Sequence, residues 1–576
     1  MNYRAWQLKN ADTAGESALL AAGYGPLLAR VLACRGIAQP QAAAALLEEE
    51  PPLSDPFLLK DMDKAVARIQ QAIENGETIV IFGDYDVDGV SATAILYECL
   101  TNLGAQVRCK LPTREGGGYG LNRETLQKLA DKGYKLIVTV DNGISAIEEA
   151  DLAAELGIEL VITDHHLPGG ELPAAEAIVN PNQPGCSFAS KAMAGVGVMF
   201  YVLLQLRAEL RARGHFDTQT QPRLEPLLPL VALGTVADVV RLDANNRRLV
   251  AQGLKRIRAA QQPAGMAALF QVAGRRFDSA STFDLGFTLG PRINAAGRLA
   301  DMTLGIECLL TDDPARAAAL ARELDSINRT RRDLEGTMRE QAQQLAQRLC
   351  AAHTSAPAAI SLFDADFHEG VVGIVASRIK EQLHRPTFVF AASTAPGKEH
   401  ELKGSGRSIA GFHLRDALDL LAKRHPGLLL RFGGHAMAAG CTIAQEHFPL
   451  FAQALNEIAQ AGLDAATLTR RLETDGPLAP QYLRADLVDM LAREVWGQGF
   501  APPTFSDEVQ VQSQRLVGEE KNHLQLKLLH QGQPVDAIWF GRTEPLPAQA
   551  LLAFRLDVNE WRGQRRVQFL VEAMQD

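Results

Sequence analysis

Residues Ile79-Val80-Ile81-Phe82-Gly83-Asp84-Tyr85-Asp86-Val87-Asp88-Gly89 decide how the rest of the chain is read. An apolar run suited to a buried parallel strand stops in three aspartates at alternate positions, and a helix-like segment, Val90–Leu103, follows the glycine. Three carboxylates crowded at the carboxyl end of a strand repel one another unless cations are present. That end is also where open α/β sheets build ligand sites. The competing reading is a solvated acidic turn or a capped helix start.

Around this stretch strand and helix patterns alternate with parallel-sheet regularity. An amphipathic helix, Met62–Asn75, leads in. Strands are expected at Ile79–Phe82, Gln106–Leu111, Leu136–Val140, Leu160–Thr163 and Ala177–Val179, with helices near 89–103, 122–132, 145–156 and 191–213. The fold class is α/β, a doubly wound parallel sheet. Two further strands break into metal-competent side chains, Asp141-Asn142-Gly143 and Asp164-His165-His166. A fourth apolar run, Leu227–Leu233, leads into a glycine turn ending at Asp238. Each break alone is a common turn or packing pair, but four at the ends of apolar runs point to one site.

The 576 residues suit three or four domains, and 47% hydrophobic with 22% charged residues is a globular composition. A net charge of −10 does not exclude a nucleic-acid groove, because clustered aspartates inflate it. The seven cysteines (34, 99, 109, 186, 308, 350, 441) never form Cys-x-x-Cys, which disfavours structural zinc and suits a reducing compartment. There is no basic, apolar N-terminal leader and no uncharged apolar run of about 18 residues, so a cytoplasmic protein without membrane contact is expected.

Asp84-Tyr85-Asp86-Val87-Asp88-Gly89, Val140-Asp141-Asn142-Gly143, Asp164-His165-His166 and Gly234-Thr235-Val236-Ala237-Asp238, in this order, resemble the motifs of the DHH phosphoesterase superfamily. Length and downstream motifs are similar to its RecJ branch of single-strand-specific 5′→3′ DNA exonucleases. Residues 1–50 read as short helices, and Pro314–Cys350, rich in alanine, arginine and glutamate with no proline after its start, as one long helix within a connector at 241–355; the resemblance implies a DHH catalytic domain at 51–240. A smaller DHH-associated α/β domain at 356–465 and an OB-like barrel at 466–576 would follow. In the associated domain, strands are expected at Ile360–Phe363 and Thr387–Phe390 and a helix at Glu369–Leu383. The barrel is also read from five short alternating strands, Glu508–Gln512, His523–Leu529, Val535–Phe540, Ala553–Asn559 and Arg566–Glu572.

Five aspartates and a histidine match two hard cations, Mn²⁺ or Mg²⁺, sharing a carboxylate and lowering the pKa of a water that attacks phosphorus in line. The family resemblance puts Asp84, Asp86 and Asp141 on one metal. Asp88, Asp141, His165 and Asp238 would hold the other, with Asp141 as the bridge. Asp84 is the least secure ligand, because related families often use a histidine near the position of Phe82. His166 is expected to act on the scissile phosphate as donor or proton carrier, with Asp164 orienting an imidazole.

Substrate contacts are expected from Arg292 and Arg298 in Gly290-Pro291-Arg292-Ile293-Asn294-Ala295-Ala296-Gly297-Arg298. Two glycine-rich stretches, Lys403–Ser408 with Ser405 and Arg407, and Gly433–Gly440 with Gly433, Gly434 and His435, allow close approach to phosphate. The resemblance groups Arg114 with Ser405 and Arg407 in a 5′-end pocket. Trp561, Arg562, Arg565 and Arg566, with Trp539 and Phe540, suit a single-strand groove or, for the tryptophans, a barrel core. Single-stranded DNA with a 5′ end is the expected partner of a monomer. A single-strand-binding protein and a helicase are added by resemblance. The alternatives are a phosphatase of short oligonucleotides, cyclic dinucleotides or pyrophosphate, and a non-catalytic DNA-binding scaffold.

Overall fold

The computed structural model describes residues 5–47, 54–111, 120–351, 356–561 and 564–575. Its strands in chain order are β1 (Ala5–Leu8), β2 (Thr78–Gly83), β3 (Gln106–Lys110), β4 (Leu136–Val140), β5 (Glu159–Thr163) and β6 (Ala177–Val179). There follow β7 (Ile360–Phe363), β8 (Thr387–Ala392), β9 (Glu401–Arg407), β10 (Arg431–Gly434), β11 (Ala438–Ala444), β12 (Arg471–Thr474), β13 (Phe505–Val517), β14 (His523–His530), β15 (Gln533–Trp539), β16 (Gln549–Trp561) and β17 (Gln564–Met574). Two compact units are present: Ala11–Asn328 with Asp489–Pro502, and Met1–Asn10 with Arg329–Val488 and Pro503–Asp576.

The first unit is built on an all-parallel sheet in the order β3-β2-β4-β5-β6. Successive side chains of a strand face opposite ways, so both faces of β2 must be covered. Ile79 and Ile81 enter a core shared with the helices Met62–Glu74, Val87–Asn102 and Gly195–Ala212, while Val80 and Phe82 pack with Leu126, Ala150 and Leu152 of the helices Arg123–Asp131 and Ile147–Glu155. The doubly wound sheet is therefore as expected.

Two elements differ from expectation, and the long helix is as expected. Leu228–Ala237 is a helix and Asp238 its C-cap, so the apolar run before Asp238 is neither strand nor glycine turn. Leu228–Thr235 is buried on every side, and a fully buried short helix has no amphipathic period to distinguish it from a core strand. Residues 241–328 do more than connect, since Leu249, Leu254, Phe270, Ile293 and Ile306 lie in the same core as β2. Of the helix Pro314–Ala351, Leu320 and Leu324 belong to that core, whereas Met338, Ala342 and Ala346 pack against β7, β8 and the helix Val372–Leu383.

In the second unit the sheet β10-β11-β9-β8-β7 is antiparallel except for the β7–β8 pair. Its glycine-rich Glu401–Arg407 is a strand. A Cβ at Gly404 or Gly406 would fall within 2.7 Å of the Phe390 or Phe388 ring on the neighbouring strand. These two glycines make room for core phenylalanines. Gly433 and Gly434 end β10, and Gly434 needs its φ of 127° where the chain turns into β11. The Ala438-Ala439-Gly440 part belongs to strand β11.

The C-terminal strands close a barrel, β13-β14-β15-β17-β16, with β15 and β17 parallel. Phe554 and Phe569 stack at 3.7 Å in its interior, and Trp539 is buried while Phe540 is exposed. The first fifty residues are not only helical: β1 pairs in parallel with β12, placing Trp6 against Leu472, Ala553 and Ala573. No helix among the described residues is long and apolar enough to cross a membrane, and all seven cysteines are free.

Candidate metal centre

The register of the parallel sheet gathers the acidic breaks. Gly83 pairs with Val140, and Val140 with Thr163. Asp84, Asp141 and Asp164-His165-His166 therefore leave three adjacent strands at one edge, as the polarity of a parallel sheet requires. Asp88 joins them from the first turn of the helix Val87–Asn102, and Asp238 from the end of the buried helix Leu228–Ala237.

His165 Nε2 lies 3.1 Å from Asp141 Oδ1, 3.5 Å from Asp238 Oδ2 and 3.9 Å from Asp88 Oδ2. Ligand-competent atoms come within 4.8 Å of one another in three groups: Asp84-Asp86-Asp141, Asp88-His165-Asp238 and Asp141-His165-His166. Asp141 is common to the first and third. Asp86 also fulfils the plainer reading of its sequence. Its Oδ1 caps the helix Val87–Asn102, accepting from Asp88 N (2.9 Å) and Gly89 N (3.1 Å).

Electrostatically the cluster is incomplete without positive charge. Burial, then the neighbouring Asp86, pushes the Asp84 carboxyl well above the usual carboxylate range. Burial followed by the charges of Asp88 and Asp86 does the same to Asp141, and burial with Asp88 to Asp238. Asp88 rises to about 7 through burial and Asp86, even though Gly195 N (2.6 Å) and Val196 N (2.9 Å) donate to it from a helix N-terminus. Asp141 Oδ1 is buried and accepts no hydrogen bond among the described residues. Buried carboxylates are tolerated when they are paired or coordinate cations. The donor set, oxygen-rich with one imidazole and no thiolate, fits hard divalent cations.

The backbone is shaped around these carboxylates. Asp141 itself holds φ 63°, a strained conformation for a residue with a side chain. A Cβ at Gly195 would sit 2.7 Å from Asp141 Cβ, and one at Gly89 2.7 Å from Asp84 Cβ. Several supporting residues carried no signal that sequence reading used. Asn142 Nδ2 donates to Phe82 O (3.1 Å) and Val140 O (2.9 Å), tying two strand ends together. Asn180 and Asn182 hold the carbonyls of His166 (2.9 Å) and His165 (2.6 Å). Asn180-Pro181-Asn182 directly after the apolar β6 was the available cue.

Asp164 is the pivot of the histidine pair. Its Oδ2 accepts Ile144 N (2.9 Å), and its Oδ1 accepts His165 N (2.7 Å) and faces His166 Nδ1 at 2.7 Å. Burial opposes its ionisation, yet the His166 hydrogen bond and charge hold it at about 2. Burial also opposes protonation of His166, but Asp164 raises that imidazole to about 9. Asp164 thus orients His166, the outer of the two rings.

Other expected site residues separate by unit. Arg292 and Arg298 stand on a helix, Gly290–Leu299. Arg292 donates to Asp325 Oδ1 (2.9 Å) and Thr288 O (2.6 Å). The same helix supports the acidic loop: Asn294 Oδ1 accepts Val87 N (3.0 Å), and a Cβ at Gly297 would fall 2.4 Å from Tyr85 O. Asn294 is a positioning residue missed in favour of its arginine neighbours.

In the second unit Arg407 Nη1 donates to Ser405 Oγ (3.0 Å), and both abut Gly373 in the first turn of the helix Val372–Leu383, where a Cβ would meet each at 2.9 Å. His435 is exposed in the β10–β11 turn with Gly433 and Gly434 beside it. Arg565 and Arg566 are exposed on β17. Arg114, Arg562 and the side chain of Trp561 lie outside the described residues.

Residues 78–235 match the model of the DHH family, N-terminal domain; residues 355–461 match the DHHA1 domain and 474–573 the RecJ OB domain. The chain is 46% identical to the single-stranded-DNA-specific exonuclease RecJ of Dickeya dadantii, over 95% of both chains, and 43% identical to that of Escherichia coli, over 97% of both. The crystal structure of RecJ with Mn²⁺ from Thermus thermophilus superposes with a TM-score of 0.82 at 30% identity, covering 99% of this chain and 79% of that one. The corresponding Mg²⁺ complex gives 0.75 at 28% identity, with 99% and 78% covered. The chain belongs to the RecJ family of single-stranded-DNA-specific exonucleases.

Proposed function

We propose that this chain is a divalent-cation-dependent exonuclease that hydrolyses single-stranded DNA from its 5′ end, releasing 5′-mononucleotides in DNA repair and recombination. The observation that carries the reading is the convergence of Asp84, Asp86, Asp88, Asp141, His165 and Asp238, in overlapping groups of three ligand-competent side chains, at the edge of the parallel sheet. Asp84, Asp86 and Asp141 would hold one Mn²⁺ or Mg²⁺, and Asp88, Asp141, His165 and Asp238 the other. Bound there, the cations supply the positive charge that an anionic phosphodiester and its attacking water require. Asp141 keeps both groups of ligands in register. His166, oriented by Asp164, donates to the scissile phosphate. No side-chain nucleophile takes part, so the chemistry is direct hydrolysis.

The 5′ terminus is assigned to Ser405 and Arg407 with the first turn of the helix Val372–Leu383, where backbone N–H groups and a guanidinium suit a terminal phosphate. Family resemblance assigns Arg114 to the binding of a 5′-phosphate. Gly433, Gly434 and His435 are assigned to the strand nearby, and Trp561, Arg562, Arg565 and Arg566 of the barrel to its continuation. A cytoplasmic monomer working beside a helicase and a single-strand-binding protein completes the reading. The division into catalytic, associated and barrel domains at 51–240, 356–465 and 466–576 follows the same reading.

The test is digestion of labelled single-stranded, double-stranded and 3′-blocked DNA with Mn²⁺ or Mg²⁺ and then with chelator. Single strands are expected to be lost despite the 3′ block, with 5′-mononucleotides released and turnover stopped by chelation. Hydrolysis confined to dinucleotides, or unaffected by chelation, would sink the reading. Arg407→Ala is expected to raise KM for 5′-phosphorylated strands roughly tenfold while barely altering that for 5′-hydroxyl strands, in line with one lost charge-assisted hydrogen bond. Equal losses on both ends would count against the pocket.

A further inference from the structure

In the first unit two large apolar side chains left open to water touch one another. Phe283 and Phe287, 53% and 74% exposed, stack with ring centroids 5.2 Å apart and planes 25° from parallel. A lone exposed hydrophobe needs no explanation, but two aligned rings held out of the core do. The segment that carries them is anchored from beneath. Leu285 and Leu289 are fully buried, and buried Asp284 accepts from Ser281 N (2.9 Å), Ser281 Oγ (2.8 Å) and Arg275 Nε (2.6 Å). Asp284–Leu289 is π-helical, a geometry that recurs at functional sites.

This platform adjoins the metal centre. A Cβ at Gly286 would lie 3.2 Å from Val236 Cγ1 and one at Gly290 3.4 Å from Ala237 Cβ, on the helix that ends at Asp238. The residue after Asp238, Val239, is 64% exposed and holds φ 63°, a conformation that β-branched residues avoid. The segment that carries the two rings thus packs on the helix that delivers Asp238 to the acidic centre. Carboxylates and cations engage the phosphate of a strand and offer nothing to its bases. Stacking on aromatic faces supplies that contact without regard to sequence, as an exonuclease that must accept every base requires.

We propose that Phe283 and Phe287 are a stacking platform for unpaired nucleobases of the strand close to the scissile phosphodiester. The proposal rests on the nuclease reading above. Its occupant is a nucleobase, and not a second copy of the chain. The test compares the full-length enzyme, the double variant Phe283→Ala/Phe287→Ala and the conservative Phe287→Tyr. The substrates are 5′-phosphorylated oligodeoxynucleotides with normal bases and with abasic residues near the 5′ end. The unaltered enzyme is expected to show a KM roughly tenfold higher on the abasic strand. The double variant should show a similar rise on the normal strand and no further penalty on the abasic one, while Phe287→Tyr keeps the preference for bases. A double variant that retains the full preference, or that loses activity equally on both strands, overturns the platform. So does sedimentation showing a dimer that the double substitution dissociates, because a second copy would then be the occupant. An unaltered enzyme that leaves every single strand intact would bring down the nuclease reading first.

Discussion

Asp141→Ala is expected to lower turnover by at least about three orders of magnitude while leaving single-strand binding within a few-fold of normal. Asp141 is the carboxylate shared by two of the three ligand-competent groups, and its Oδ1 is also 3.1 Å from His165 Nε2. Other carboxylates in the cluster can be lost with one group disturbed, whereas loss of Asp141 disturbs both. Turnover measured at saturating Mn²⁺, with binding followed separately by fluorescence anisotropy, checks the expectation. Residual turnover above about a tenth of the unaltered rate would refute the shared role.

The same residue makes a separate, thermodynamic prediction. Burial and the charges of Asp88 and Asp86 push its carboxyl well above the ordinary range, so near neutrality the unfolded chain ionises it more readily than the folded one. Without cations it therefore destabilises the fold. Asp141→Asn, which keeps a side chain tolerant of the left-handed backbone there, should raise the melting temperature of the cation-free protein by several degrees and blunt the further rise caused by Mn²⁺. Melting curves with and without Mn²⁺ decide it, and an unchanged response to Mn²⁺ would be the contrary result.

Asp164→Asn carries the second large effect, a loss of roughly 100-fold to 1000-fold in kcat, because His166 would lose the partner that orients it at 2.7 Å. Its pH dependence follows from the sign of each shift. Asp164 is depressed to about 2, so its contribution to stability is present above its ordinary range near 4 and lost as pH falls through 2. His166 is raised to about 9, so its contribution is complete below 6.5 and lost as pH rises through 9. Both describe one contact, and it is strongest between about pH 4 and 6.5. Thermal destabilisation by Asp164→Asn in the cation-free protein should accordingly be larger at pH 6 than at pH 9.5, and a pH-independent difference would exclude the ion pair.

Legibility in the sequence followed how local each feature is. The strands around Ile79–Phe82, Leu136–Val140 and Ala177–Val179 could be read because a parallel strand covered on both faces needs an unbroken apolar run, and the polar residues that end such a run stand next to it in the chain. The helix Leu228–Ala237 could not, because burial on all sides erases its period. Nor could β1, whose partner Arg471–Thr474 is more than four hundred residues away in sequence. The surroundings of Arg292 were not legible either. Its chemistry suits phosphate, and its hydrogen bonds to Asp325 and Thr288 join positions that spacing in the chain does not connect.

By itself the sequence determined the doubly wound class and the identity of the acidic residues, since both depend on side chains within a few positions of a strand end. Tertiary structure alone decided that Asp238 arrives from a helix, that Asn294 and Gly195 shape the acidic loops, and that Gly404 and Gly406 accommodate phenylalanine rings. These are contacts between segments remote in the chain, and residue type and spacing do not encode which surfaces meet. The Ile79–Gly89 stretch belongs to both accounts: its strand and aspartates are local, while the company that makes those aspartates a site comes from β4, β5 and two helices.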